Sequence, residues 1–143
     1  MWFIIHAAST SALVGLIWVV QLVIYPQFAA LGPADFVSYH RDYTRRISWI
    51  VGPLMLVELG TALVLSWHGE RPAWFLFSLG FLALNWISTA LIQVPLHRRL
   101  ERGFNPETHR VLVLSNWVRT LAWTARAILL CSGLSTQGLP PVR

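Results

Sequence analysis

The sequence contains no lysine, only one cysteine and few charged side chains of either sign. Charged residues make up 12% of the 143 positions, which is about half the fraction usual in soluble domains. With 55% hydrophobic residues and a mean hydropathy of +0.56, this composition excludes a soluble globular enzyme and a disordered chain. The single cysteine, Cys131, excludes an intrachain disulfide scaffold and gives no information about the redox compartment.

Several motifs that carry chemistry in other proteins are also missing. The chain has no phosphate-binding glycine loop, no GxSxG elbow, no CxxC pair and no EF-hand loop. The net charge of +5 and the pI near 10.7 come from arginines in short clusters between apolar runs. Because such clusters suit helix ends and anionic lipid headgroups, we expect a lipid bilayer and no nucleic acid as partner.

Four apolar stretches are long enough to cross a bilayer as helices, since about 20 helical residues match a hydrocarbon core of about 30 Å. They cover residues 2–28, 47–67, 73–96 and 111–131. We therefore predict an all-α, polytopic membrane protein, one domain over residues 1–143, folded as an up-down four-helix transmembrane bundle. Asp35 and the mixed residues 36–43 predict a short interfacial helix in the first loop.

The arginines predict the orientation in the cytoplasmic (inner) membrane. The first loop carries Arg41, Arg45 and Arg46, and the third carries Arg98, Arg99, Arg102 and Arg110. The second loop has only Arg71 and the C-terminal tail only Arg143. By the positive-inside rule, the first and third loops face the cytoplasm and both termini lie outside it.

Polar side chains recur within the predicted spans, where lipid contact would be unfavourable. Helical spacing places them on one side of each span. They are His6, Thr10, Gln21 and Tyr25 in the first span, Glu58 and Thr61 in the second, Asn85, Thr89, Gln93 and His97 in the third, and Asn116, Arg119, Thr120, Trp123 and Arg126 in the fourth. Matching depths predict a polar cavity that opens toward the cytoplasm.

Within this cavity we expect Glu58 to pair with Arg119 near the bilayer centre, since an uncompensated charge there costs roughly 2.5–3.5 kcal/mol. The candidate catalytic residues are Glu58, Arg119, His40 and His97. The candidate ligand- or cofactor-binding residues are Gln21, Tyr25, Asn85 and Asn116. Arg126 is expected to extend its side chain to the outer interface.

The histidines leave the question of a cofactor open. His6 lies on a helix face from which a haem iron is sometimes bound. His40, His97 and His109, with Glu58, are candidate ligands for zinc, iron or copper at the cytoplasmic mouth. Their spacing matches no recognised metal motif, so the sequence identifies neither a metal nor a haem.

Two local patterns resemble a family of small bacterial four-span membrane proteins without an assigned activity. They are Tyr25-Pro26-x-Phe28 with His40, Arg46, Pro53 and Glu58, and Asn116-Trp117-x-Arg119-Thr120-x-x-Trp123-Thr124-x-Arg126. In overall plan the chain is also similar to the four-helix, haem-binding protoporphyrinogen oxidase of bacteria and to anthrone-oxygenase-like proteins. The oxidase resemblance implies a haem near His6, but the second intramembrane histidine of that family is replaced here by the Asn85 and Thr89 region.

Three functions fit these features. The first is a membrane-embedded enzyme or cofactor binder that acts on a lipophilic small molecule. The second is a structural or assembly subunit of a membrane complex or homo-oligomer, in which the polar groups only specify helix pairing. The third is a small anion or proton-coupled transporter, for which no inverted repeat is visible.

Overall fold

The structure is a computed structural model that describes residues 1–68 and 72–137, with the side chains of residues 33 and 134–137 left aside. This part of the chain forms four long helical runs and no strand. They are α1 (Trp2–Phe28), α2 (Pro33–His68), α3 (Ala73–Leu100) and α4 (Pro106–Gln137). Two arginines used to predict the orientation, Arg71 and Arg143, lie outside the described residues.

The all-helical prediction is confirmed, but one of its details is wrong. The first loop holds no separate interfacial helix, because residues 33–68 form a single helix. No helix-breaking residue lies between positions 43 and 47, and the exposed pair Arg45–Asp42 (2.8 Å) links successive turns there. Pro53 lies inside α2 without ending it.

Prolines change the backbone hydrogen-bonding pattern of α1 and α3. Each helix contains a five-residue π-helical segment, Val20–Ile24 in α1 and Thr89–Gln93 in α3. Each segment ends two residues before a proline, Pro26 or Pro95, which has no N–H to donate and would clash with the carbonyl four residues earlier. The wider π turn accommodates that clash inside an otherwise continuous helix.

The packing order of the helices leaves one gap. Helix α1 packs against α2 and α4, and α4 packs against α3. Among the described residues, the main part of α3 (Ala73–Ser88) is not closely packed against α2. The two helices instead both line a cavity that is partly open to the outside of the molecule.

The distribution of side chains differs from that in a soluble domain, because many polar side chains share the interior with the apolar core and large apolar side chains lie outside. The interior holds His6, Gln21, Glu58, Asn85, Asn116 and Arg126, each no more than 3% exposed. Large apolar side chains cover the outside, including Trp49 (79% exposed), Leu91 (71%) and Ile128 (63%). Three helices, α1, α2 and α3, are long and apolar enough to cross a membrane. Helix α4 contains Asn116, Arg119 and Arg126, but it turns these side chains inward and exposes Val111, Leu114, Val118, Leu121 and Ile128.

Candidate functional site

A cavity of about 340 Å³ lies beside the gap between α2 and α3, and we call it the lateral cavity. Its walls are mostly apolar, as in small-molecule sites generally. The polar and aromatic residues that line it are Tyr25, Tyr43, Ser48, Trp86, Thr89, Gln93, His97, Arg119 and Trp123. It occupies the half of the molecule that contains the first and third loops, which we call the first-loop end.

Arg119 is the one cation among the described residues that line this cavity. Its side chain is only 6% exposed. Its Nη1 donates a 3.0 Å hydrogen bond to Asn116 Oδ1, and its Nε is buried without a partner. Within residues 1–68 and 72–137 no carboxylate forms a salt bridge with it. The guanidinium therefore retains donors and a charge that no side chain in the described part neutralises.

Two sets of contacts fix the position of Arg119. On one side Asn116 Nδ2 donates to Gln21 Oε1 at 2.8 Å, and Gln21 Nε2 donates to the Val113 carbonyl at 3.2 Å. On the other side the Arg119 guanidinium carbon lies 4.9 Å from the centre of the Trp123 ring, within the range of a cation–π contact. Trp123 is four positions after Arg119, so both side chains project from the same face of α4.

The predicted Glu58–Arg119 pair is wrong, because Glu58 pairs with Arg126. Arg126 Nη1 lies 3.1 Å from Glu58 Oε1, and both side chains are fully buried. Thr10 donates to the same carboxylate at 2.7 Å, and Trp123 Nε1 donates to it at 3.2 Å. Arg126 also does not extend to the outer interface as predicted. Because positions 119 and 126 are seven apart, both face inward, and spacing alone does not decide which arginine is level with Glu58.

His6 belongs to this second cluster rather than to a haem site. Arg126 Nη2 donates to His6 Nε2 at 3.1 Å, since arginine has no acceptor. The His6 proton is therefore on Nδ1, which lies 2.8 Å from the Thr61 hydroxyl, and that hydroxyl donates to the Val57 carbonyl. Both ring nitrogens are occupied, so His6 does not fit as a haem ligand. We call this cluster the Glu58 network; its members are His6, Thr10, Glu58, Thr61, Trp123 and Arg126.

A chain of three hydrogen-bonding groups leads from the cavity toward the first-loop end. The Tyr25 hydroxyl lies 3.2 Å from His97 Nε2, and His97 Nδ1 lies 3.0 Å from His40 Nε2. Tyr25 and His97 line the cavity, whereas His40 is fully buried behind them. We call these residues the Tyr25–His97–His40 chain. Each of its groups both donates and accepts, as a proton relay requires.

The structure thus brings most of the candidate residues together but separates two of them. Gln21, Asn116 and Arg119 form one unit, and Tyr25, His97 and His40 form another that shares the cavity. Glu58 is not part of the cavity lining and acts on it only through Trp123. Asn85 is buried away from the lining, and its amide has no hydrogen-bond partner.

The histidines do not assemble as the metal hypothesis required. His109 Nε2 contacts the Tyr25 carbonyl at 2.8 Å instead of joining His40 and His97. In residues 1–68 and 72–137, no group of three His, Cys, Asp or Glu side chains is arranged to hold a metal ion.

Sequence reasoning missed the role of Trp123, which connects the Glu58 network to Arg119. Its distance of four residues from Arg119 was the available signal. No protein-family model, curated protein or solved structure matches this chain. The family resemblances drawn from the sequence therefore stay predictions, and the geometry alone supports the function proposed next.

Proposed function

We propose that the chain is an integral inner-membrane protein, a four-helix bundle that binds a lipophilic small molecule in the lateral cavity. The observation that carries this proposal is Arg119, a buried cation held in place at the wall of an apolar cavity. The Trp123 ring and the Asn116 amide fix its guanidinium before any ligand arrives, which lowers the cost of binding. The apolar exterior supports the membrane location, because a surface of this kind is stable in contact with lipid.

The cavity's position favours a ligand that arrives from the membrane. The opening lies between α2 and α3, where Ile47, Leu56 and Val94 form apolar edges. A lipophilic molecule can reach Arg119 through this opening without crossing water. The polar end of the ligand would lie at Arg119, and its apolar body would lie against Trp86 and Met55.

In the enzyme form of this proposal, the Tyr25–His97–His40 chain moves a proton between the ligand and the buried His40 imidazole. His97 is the central member, since its two ring nitrogens contact the other two groups. Glu58 then serves as a positioning residue that holds Trp123. We assign no specific reaction, because several proton-coupled reactions of lipophilic molecules fit the same groups.

A photoreactive test uses two glycines of α2. Gly52 lines the cavity and Gly60 does not, and a Cβ added at either meets no atom within 4 Å. Gly52→Leu should fill the cavity, while Gly60→Leu is the matched control; both improve helix propensity, by up to about 1 kcal/mol. The probe is a twelve-carbon primary alcohol carrying a diazirine, added to protein in lipid nanodiscs, with labelled peptides mapped by mass spectrometry.

We expect labelling of cavity residues in the natural protein and in Gly60→Leu, and its loss in Gly52→Leu. Equal labelling of all three proteins, or none at the cavity, would overturn the proposal. In that case the structural or assembly subunit becomes the better account. The Glu58 network favours that second candidate, because its buried pair and Thr10 join three helices without lining the lateral cavity.

A transport path is not part of the proposal. The lateral cavity occupies one half of the bundle, and the Glu58 network fills the interior beyond it with fully buried side chains. A small anion entering at Arg119 would meet Trp123 and the Glu58–Arg126 pair rather than a continuous channel.

A further inference from the structure

The balance of charge inside the molecule limits what kind of ligand the lateral cavity takes. Among the described residues, three charged side chains are buried: Glu58, Arg119 and Arg126. Glu58 and Arg126 neutralise one another at 3.1 Å. Arg119 is left as a single positive charge without a counterion in the part of the chain that the structure describes.

Glu58 is not available to neutralise Arg119 as well. Its carboxylate already accepts from Thr10 and Trp123 in addition to Arg126. Trp123 lies between the two clusters: its indole N–H faces Glu58, and its ring lies beside the Arg119 guanidinium. An Arg119 side chain that turned toward Glu58 would lose both the ring contact and the Asn116 hydrogen bond.

The remaining groups of the lining complete the description of an anion site. Gln93, Thr89 and the hydroxyls of Tyr25 and Tyr43 provide uncharged polar atoms in the same lining, and the lining contains no carboxylate. A buried cation of this kind gains most from a ligand of charge −1, because an anion adds Coulomb attraction to the hydrogen bonds that a neutral oxygen also accepts, and this attraction is stronger where water is excluded. A neutral carbonyl or quinone oxygen would leave the positive charge in place.

The size and walls of the cavity select the rest of the ligand. A volume of about 340 Å³ is near the lower end of small-molecule sites, enough for one head group and the first part of one chain. The rest of the lining is largely apolar and continues to the opening between α2 and α3. A single hydrocarbon chain can extend through this opening into the lipid, so the cavity volume has to hold only the head group and the first part of that chain.

We propose that the lateral cavity binds a single-chain lipophilic carboxylate, with its head group on Arg119 and its chain directed between α2 and α3. This inference rests on the proposed function and narrows its ligand to a monoanion. In this inference Arg119 recognises the negative charge of the head group, and the gap between α2 and α3 accommodates the hydrocarbon chain.

The test compares the labelling of the cavity by probes that share one hydrocarbon chain and differ only in the head group. Two further probes carry the same twelve-carbon chain and diazirine as the alcohol, one ending in a carboxylate and one in a trimethylammonium group. Labelling of cavity peptides is divided by the partition of each probe into empty nanodiscs, so that only binding to the protein is compared. Arg119→Gln removes the charge, and Arg99→Gln on the exposed end of α3 is the control.

We expect the carboxylate to label the natural protein and Arg99→Gln at least about tenfold more efficiently than the alcohol. The ammonium probe should label least. In Arg119→Gln the carboxylate should lose its advantage, while labelling by the alcohol persists. The comparison of head groups on the natural protein stays informative even if Arg119→Gln fails to fold.

Each other outcome is decisive. If the alcohol labels the cavity as well as the carboxylate, and Gly52→Leu blocks both, the monoanion inference is wrong and the proposed function stands. If the carboxylate keeps its advantage in Arg119→Gln, charge recognition belongs to another group. If no probe labels the cavity, the proposed function and this inference both fail.

Discussion

Two arginines on the same face of α4 have different surroundings, and the difference defines the site. Arg126 is neutralised by Glu58 and hydrogen-bonded to His6, all within a filled interior. Arg119, seven residues earlier, meets an aromatic ring, one amide oxygen and a cavity. We assign a structural role to the first and a ligand-binding role to the second.

Glu58→Gln tests the structural role of the Glu58–Arg126 pair, because the substitution removes the charge and nearly preserves the shape of the side chain. The amide keeps an oxygen for Thr10 or Trp123 but removes the charge that neutralises Arg126. A buried charge that has lost its partner costs about 3–5 kcal/mol, so the purified variant should unfold at a clearly lower temperature. Circular dichroism of the protein in detergent measures the shift.

A second substitution separates loss of charge balance from general damage. In the double variant Glu58→Gln with Arg126→Gln neither position of the pair carries a charge, and much of the lost stability should return. Asp42→Asn, which breaks an exposed ion pair on the same helix, should change the unfolding temperature little. A double variant no more stable than the single one would contradict the assigned role.

The candidate residues show how far sequence reasoning reaches at this scale. Inward-facing positions follow from helical spacing, and the burial of Gln21, Asn116, Arg119 and Glu58 agrees with it. Pairing depends on the vertical register between helices, which a sequence does not state. The prediction for Glu58 therefore named the wrong arginine of two that share a face.

At the scale of the elements, the helices differ from the predicted spans mainly at their ends. The apolar runs predict where each helix crosses the membrane but not how far it continues beyond, so α2 begins at Pro33 and α4 at Pro106. Asn105 caps the N-terminus of α4: its side-chain Oδ1 accepts a 2.7 Å hydrogen bond from the Thr108 N–H, as N-cap residues usually do. The π-helical segments were not predicted, because hydropathy reports composition and not the pattern of backbone hydrogen bonds.

One glycine sets the distance between α3 and α4. A Cβ at Gly133 would lie 2.6 Å from two ring atoms of Trp74, well inside van der Waals contact. Gly133→Ala must displace the indole, and we expect a loss of about 1–3 kcal/mol in stability. Gly60→Ala, at a position with open space around it, is the control and should be at least as stable as the natural protein.

Thermal unfolding of the two alanine variants in the same detergent measures the difference. Equal stability of Gly133→Ala and Gly60→Ala would mean that Trp74 moves without cost and that Gly133 does not set the helix spacing.

At the scale of the whole molecule, the apolar exterior and the arginine clusters together predict an orientation. Ser38 is exposed near the first-loop end, and Trp67 is 82% exposed at the opposite end of α2. In a Cys131→Ala background, we expect Trp67→Cys to react with a membrane-impermeant maleimide in intact spheroplasts. Ser38→Cys should react only after the membrane is opened, because the positive-inside rule places its loop in the cytoplasm. The reverse pattern would invert the predicted topology.

The proposed entry of a ligand through the gap between α2 and α3 changes how affinity has to be expressed. A ligand that enters sideways competes with the acyl chains of the bilayer, so its activity is a mole fraction in lipid and not a concentration in water. Adding lipid at constant total ligand dilutes the ligand within the membrane and lowers occupancy, even though its aqueous concentration scarcely changes. Two laboratories using different lipid-to-protein ratios would report different molar dissociation constants for one and the same site, and their values would agree only as mole fractions.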